Sequence, residues 1–180
     1  MKKFILCMLP IIVYSSGANA SSTLTFSTTT NTPTYLEAGM TISSVGGGEN
    51  VKTNSGSWYS DLKGGSSTWE LTTGSNFDLL SIDTLHYDSG ESSTWKGWLG
   101  GIEVISQTTN AANSSWTFSS FVNLDKVTLT VDGFWTDGRF DNLEFQPSAV
   151  PLPAAVWLMG SGLLGLMGYS RKNKGQSLAA

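Results

Sequence analysis

Lys126-Val127-Thr128-Leu129-Thr130-Val131-Asp132 alternates apolar and polar residues without a break. A strand turns successive side chains to opposite faces, so this stretch sends Val127, Leu129 and Val131 to a core and Thr128 and Thr130 to water. The same two-residue period recurs in Met40-Thr41-Ile42, Trp69-Glu70-Leu71, Ile102-Glu103-Val104, Trp116-Thr117-Phe118 and Leu143-Glu144-Phe145. Between these runs fall turn formers: Gly46-Gly47-Gly48, Asn54-Ser55-Gly56, Gly64-Gly65, Gly74-Ser75-Asn76, Asp88-Ser89-Gly90 and Asp137-Gly138. Roughly seven or eight short strands of uneven length predict an all-β fold, an antiparallel β-sandwich in preference to a barrel. The Ser21–Thr30 stretch is polar and reads as an edge strand or a fraying end, and Gln146–Ala149 as a short linker.

The two ends of the chain carry different signals. Met1-Lys2-Lys3 is a positive start, Phe4–Tyr14 an apolar stretch too short for a stable span, and Ala18-Asn19-Ala20 a small-x-small cleavage pattern, with Ala18 and Ala20 as its small residues. Residues 1–20 therefore read as a signal peptide handled by the Sec translocon, and Ser21 as the mature start. Cys7, the only cysteine, leaves with that peptide, so the mature chain forms no disulfide, cysteine nucleophile or cysteine metal site. At the other end, Val150-Pro151-Leu152-Pro153-Ala154 opens an uncharged apolar run, and Arg171, Lys172 and Lys174 close it. The prolines hold the entry extended, a transmembrane helix over about 153–170 can follow them, and the three cations stop translocation. Both basic ends stay inside, which places residues 21–149 on the far side of the inner membrane.

This ending resembles the C-terminal sorting domain of the VPLPA type, a variant of the PEP-CTERM signal on exported proteins of Gram-negative bacteria that make exopolysaccharide. The pentapeptide Val150-Pro151-Leu152-Pro153-Ala154 stands unaltered, followed by the small-residue-rich Trp157–Leu166 and a basic cluster. The resemblance implies that an exosortase, an integral-membrane cysteine transpeptidase, recognises the pentapeptide in residues 150–174 and removes the helix. The mature form would then reside at the cell surface or in the extracellular matrix. A plain single-pass anchor is the alternative reading.

Residues 21–149 make 129 residues, the size of one domain, with fourteen acidic side chains against five basic ones, a balance of −9. Nucleic acid is excluded as a partner by that charge. Ser and Thr account for 41 of the 129 residues and interleave with aromatic and β-branched ones, which favours strands over a stalk. Within this domain Tyr35–Ile42, Asn76–Asp83 and Phe140–Leu143 resemble landmarks of the jelly-roll ectodomains of PEP-CTERM proteins, which are similar to carbohydrate-binding modules and galactose-binding-like domains. By that resemblance Glu37 and Asp141 stand where an acid commonly holds one structural Ca²⁺, an ion that takes six to eight oxygens.

Aromatic faces can stack on sugar rings, and Trp58, Trp95, Trp98 and Trp135 adjoin glycine-rich stretches, which marks them as ligand-facing candidates. Trp69 and Trp116 alternate with polar residues and read as core. Catalytic motifs are missing: His86 is the only histidine, and neither a Gly-x-Ser-x-Gly elbow nor a His-Glu-x-x-His helix occurs. These residues predict a non-catalytic exported surface or matrix protein, sorted by an exosortase and associated with exopolysaccharide. The alternative is a carbohydrate-binding module with a defined sugar site, and the third reading a glycoside hydrolase.

Overall fold

A computed structural model describes residues 20–46, 48–61, 65–86, 91–110, 112–133, 138–149 and 159–164. The chain divides into two compact units, Met1–Ala149 and Val150–Ala180. The first contains the strands β1 (Ser22–Leu24), β2 (Thr30–Thr32), β3 (Thr34–Glu37), β4 (Met40–Ser44), β5 (Val51–Thr53), β6 (Trp58–Tyr59) and β7 (Gly65–Thr72). It continues with β8 (Phe77–His86), β9 (Ser92–Leu99), β10 (Ile102–Thr109), β11 (Ser114–Thr117), β12 (Lys126–Gly133) and β13 (Arg139–Pro147).

These strands form two antiparallel sheets. Sheet A runs β11-β8-β13-β6-β5-β2, and sheet B runs β10-β9-β12-β7-β4-β3. With β8 along one edge of β13, the other edge is shared end to end by β1, paired at Leu143–Phe145, and β6, paired at Arg139–Phe140. Consecutive strands change sheets repeatedly, as β7, β8 and β9 do, so the inner faces close over one core.

That core follows the alternation. Val127, Leu129 and Val131 of β12 are buried, and so are Met40, Ile42, Trp69, Leu71, Leu143 and Phe145. Aromatic rings bridge the sheets: Trp58 meets Trp69 edge-on at 5.3 Å, and Trp95 meets Phe140 edge-on at 6.0 Å. Such pairs add about 0.5–1.5 kcal/mol each beyond area burial. The buried hydrophobic residues of the described chain all fall between Leu24 and Phe145, within the first unit.

Within the polar Ser21–Thr30 stretch, β1 pairs at an edge as expected, bonded to β13 alone, and Leu24 and Phe26 are fully buried. Three expectations are corrected. First, the alternation of Ile102-Glu103-Val104 does not face a core: Ile102 and Val104 of β10 are exposed. Second, Trp95-Lys96-Gly97-Trp98 lies within strand β9 and forms no turn. A Cβ on Gly97 would stand 2.5 Å from Ile105 Cγ2 and 2.7 Å from Leu124 Cδ1, so the glycine marks a close approach of neighbouring side chains. Third, β13 continues through Pro147 where a linker was expected. Gln146 near its end and Ser148 just beyond it donate to Asp78, which also accepts the Asn123 N–H at 2.8 Å. Burial opposes the charge on Asp78, but these donors outweigh it and hold the carboxyl below its ordinary range.

In the second unit residues 159–164 are helical, with Met159, Leu163 and Leu164 exposed. Among the described residues no helix is long and apolar enough to cross a membrane. Ala18, the pentapeptide Val150–Ala154 and the cations Arg171, Lys172 and Lys174 lie outside the described residues, whereas Ala20 is described and exposed.

Candidate functional site

The described tryptophans do not form the exposed row that their glycine-rich surroundings suggest. Trp58 and Trp95 are fully buried, because β6 and β9 turn them inward, so neither offers a ring to solvent. The Trp95 indole N–H donates inside the sandwich to Thr109 Oγ1 at 3.1 Å. Trp98, on the outer face of sheet B, is half-buried and covered by its own neighbours. Its N–H donates to Thr128 Oγ1 at 3.0 Å, and Lys126 Nζ stands 5.3 Å from the ring centroid. Trp69 is core as expected, and Trp116 is half-buried and packs against the core cluster. Trp135 lies outside the described residues.

Glu37 ends β3 and straps the start of the domain to it. Its Oε1 accepts from the Thr25 N–H and hydroxyl, both at 3.2 Å; its Oε2 accepts from the Phe26 N–H at 3.0 Å and the Tyr35 hydroxyl at 2.7 Å. These bonds hold Phe26 at φ 48°, a left-handed conformation that a phenylalanine rarely takes, with its ring 5.9 Å from those of Tyr35 and Trp58. Burial works against the Glu37 charge, but the donors prevail and lower its pKa, while burial and the Glu37 carboxylate push the Tyr35 hydroxyl up.

Asp141 stands opposite Asp83 in the β13–β8 ladder, two like charges face to face. Burial first, then the charges of Asp83 and Glu37, raise the Asp141 carboxyl against the lowering effect of the Asn142 N–H that donates to it at 2.7 Å. Asp83 accepts from Ser115 and, at 2.9 Å, from Asn142 Nδ2. The structure thus brings Glu37 and Asp141 within electrostatic reach. Yet the Glu37 oxygens already take four hydrogen bonds, about the capacity of a carboxylate. Among the described residues no group of three or more His, Cys, Asp or Glu is placed to hold a metal ion.

A different constellation lies on the outer face of sheet A. In the ladder, Asn31 of β2 pairs with Lys52 of β5, Lys52 with Tyr59 of β6, and Tyr59 with Arg139 of β13, whose other partner is His86 of β8. Residues paired this way share a face. The neighbouring row, Thr53, Trp58, Phe140 and Thr84, is buried on the inside. Beside the β5–β6 turn this outer row opens into a pocket of about 210 Å³ lined by Asn54, Ser57, Tyr59 and Arg139. An aromatic ring, a guanidinium, an amide and a hydroxyl therefore converge on one small volume.

Lys52 is engaged elsewhere, paired with Glu49 and lying 3.6 Å from Asp61; burial would lower its pKa, but those two carboxylates raise it. A second depression of about 210 Å³ includes Ser22, Gly39, Thr73, Phe77 and Phe145 in its lining, with no ionisable side chain among its described lining residues.

No family model and no curated protein matches the chain. Among solved structures, the chain is similar to a carbohydrate binding module of family 29, with a TM-score of 0.43 and 13% identity over 72% of this chain and 90% of that one. A mutant of CBM29-2, a family 29 carbohydrate-binding module, gives the same score and identity over 74% of this chain and 99% of its own. The two-sheet architecture of this domain rests on its own strand pairing.

Proposed function

We propose that residues 21–149 form a non-catalytic polysaccharide-binding module that is exported and displayed outside the cell. The observation that carries it is the pocket on the outer face of sheet A, which Asn54, Ser57, Tyr59 and Arg139 line. A few convergent polar groups beside an aromatic ring suit a sugar, which offers hydroxyls around a ring and apolar C–H surface across it. The strands' repeated change of sheet supports a jelly-roll, galactose-binding-like topology. A glycoside hydrolase needs carboxylates at the sugar, and the described lining of this pocket includes none.

The route outside rests on the ends of the sequence: a signal peptide read by the Sec translocon, and a VPLPA-type tail with its helix for an exosortase. A tag placed after Ala180 is expected to be lost in a host with the matching exosortase and kept when that enzyme is deleted; retention in both hosts would leave a simple anchor. Calcium belongs to the same proposal. The like charges of Asp83, Asp141 and Glu37 favour a cation there, and the donors on Glu37 are what it must displace. A melting temperature raised by millimolar Ca²⁺ and lowered by EDTA is the result it requires.

Sugar binding is tested with purified residues 21–149 and the producer's own exopolysaccharide. Saturable binding that Tyr59→Ala weakens about tenfold or more, a loss of about 1.4 kcal/mol or more, supports the module. An undiminished Tyr59→Ala variant would move the site away from this pocket.

A further inference from the structure

We infer that the Tyr59–Arg139 pocket takes a carboxylate-bearing sugar, a uronate residue of an acidic polysaccharide. This rests on the sugar-binding reading above and names the class of sugar. The first observation is where the few cations stand. The exported domain has five basic side chains among fourteen acids, yet the β2-β5-β6-β13 row brings Lys52 and Arg139 to either side of Tyr59, with the chain's only histidine next in the ladder.

The second observation is the division of labour within the row. Lys52 is held by Glu49 and Asp61 and does not line the pocket, whereas Arg139 does. A guanidinium carries five N–H donors in a planar fork, so it can keep a partner on its own chain and still present donors to a ligand. The carboxylate of a sugar matches that fork in two parallel bonds, and a neutral hydroxyl does not.

The third observation is size and lining. About 210 Å³ lies below the range of about 300–1,000 Å³ typical of pockets for drug-sized ligands, so it suits one sugar residue of a longer chain. The described lining includes Asn54, Ser57, Tyr59 and Arg139 and no carboxylate. With the pyranose against Tyr59, the C5 carboxylate can reach Arg139 while hydroxyls meet Asn54 and Ser57. The acidic surface elsewhere on the domain repels the same polymer, which confines it to this patch and makes the binding depend on salt.

The experiment measures binding of residues 21–149 to alginate and to polygalacturonate, each in native form and with its carboxylates reduced to alcohols. The expected result is saturable binding to at least one native polymer, weakened about tenfold or more by reduction of that polymer and by Arg139→Ala. Arg139→Lys, which keeps the charge and loses the fork, is expected to recover only part of the affinity. Melting temperatures confirm that each variant is folded, and reduction of the polymer tests the same contact without touching the protein.

Equal binding of native and reduced polymer, lost with Tyr59→Ala, would overturn the acidic-sugar assignment and leave the sugar site standing. Binding to native polymer that Arg139→Ala and Arg139→Lys leave unchanged would overturn the role of Arg139. Binding to none of the four polymers would overturn the inference, and retained binding to the producer's exopolysaccharide would show that the broader reading survives it.

Discussion

The two sheets use their outer faces differently. On sheet B outward side chains satisfy one another: Thr68 shares a hydrogen bond with Thr130 at 2.9 Å, Lys96 meets Glu103 at 2.8 Å, and Lys126 reaches Glu70 at 3.2 Å while covering Trp98. On sheet A the same alternation sets Tyr59 beside Arg139 over an open pocket. The large aromatic of sheet B is thus closed over by its own chain, and the smaller one of sheet A borders space. An indole is the stronger sugar platform on composition alone, so the lesson is that what covers a ring decides its use.

The largest effect expected is on stability. Trp95→Ala removes a fully buried ring that crosses between the sheets and is expected to cost about 3–5 kcal/mol in denaturant unfolding. Trp98→Ala is expected to cost less and to leave polysaccharide affinity unchanged. If Trp98→Ala abolished binding in a folded protein, the contrast between the faces would be reversed.

Two carboxylates, Glu37 of β3 and Asp141 of β13, sharpen the picture. Glu37 is held below its ordinary pKa, so its contribution to stability is full above the unfolded-state value near about 4.3 and is lost as pH falls through the folded value. Glu37→Gln is expected to cost about 1–3 kcal/mol at pH 7 and progressively less in acid. Asp141 is raised, so ionising it opposes folding at neutral pH and the opposition vanishes below its unfolded-state value. Asp141→Asn is therefore expected to stabilise the domain by roughly 0.2–1 kcal/mol at pH 7 and by nothing near pH 3. Melting curves across that range check both signs.

The smallest effect concerns the cover itself. Lys126→Ala uncovers Trp98 and breaks the pair with Glu70, and is expected to cost about 1 kcal/mol or less. Quenching of indole fluorescence by a soluble quencher should rise in that variant. Should Lys126→Ala also create new affinity for polysaccharide, the covering side chain would be what distinguishes the faces.

The sandwich was legible wherever the period of two was clean, as in Val127–Val131 and Leu143–Phe145. Ser22-Thr23-Leu24-Thr25-Phe26 carries the same alternation, but its Ser and Thr content masked the two residues that drive it inward. Gly97 misled because a glycine in a strand looks like a turn until the Leu124 and Ile105 side chains that fill its place are known. Resemblance to jelly-roll domains singled out Glu37 and Asp141, and they do interact through charge, but the Thr25, Phe26 and Tyr35 donors on Glu37 follow from how the chain doubles back. The Tyr59 pocket was not legible: Tyr59 belongs to a two-residue strand, and its partner Arg139 arrives from 80 positions later through ladder register alone. A short strand beside a glycine turn gives no local sign of the row it joins.

The most direct measurement is a map of amide and indole NMR shifts in residues 21–149 as the producer's exopolysaccharide is added. The account predicts that Asn54, Ser57, Tyr59 and Arg139 shift together and saturate at one concentration while the Trp98 indole stays in place. Shifts centred on Trp98 and the outer face of sheet B, with the Tyr59 row unmoved, would contradict it.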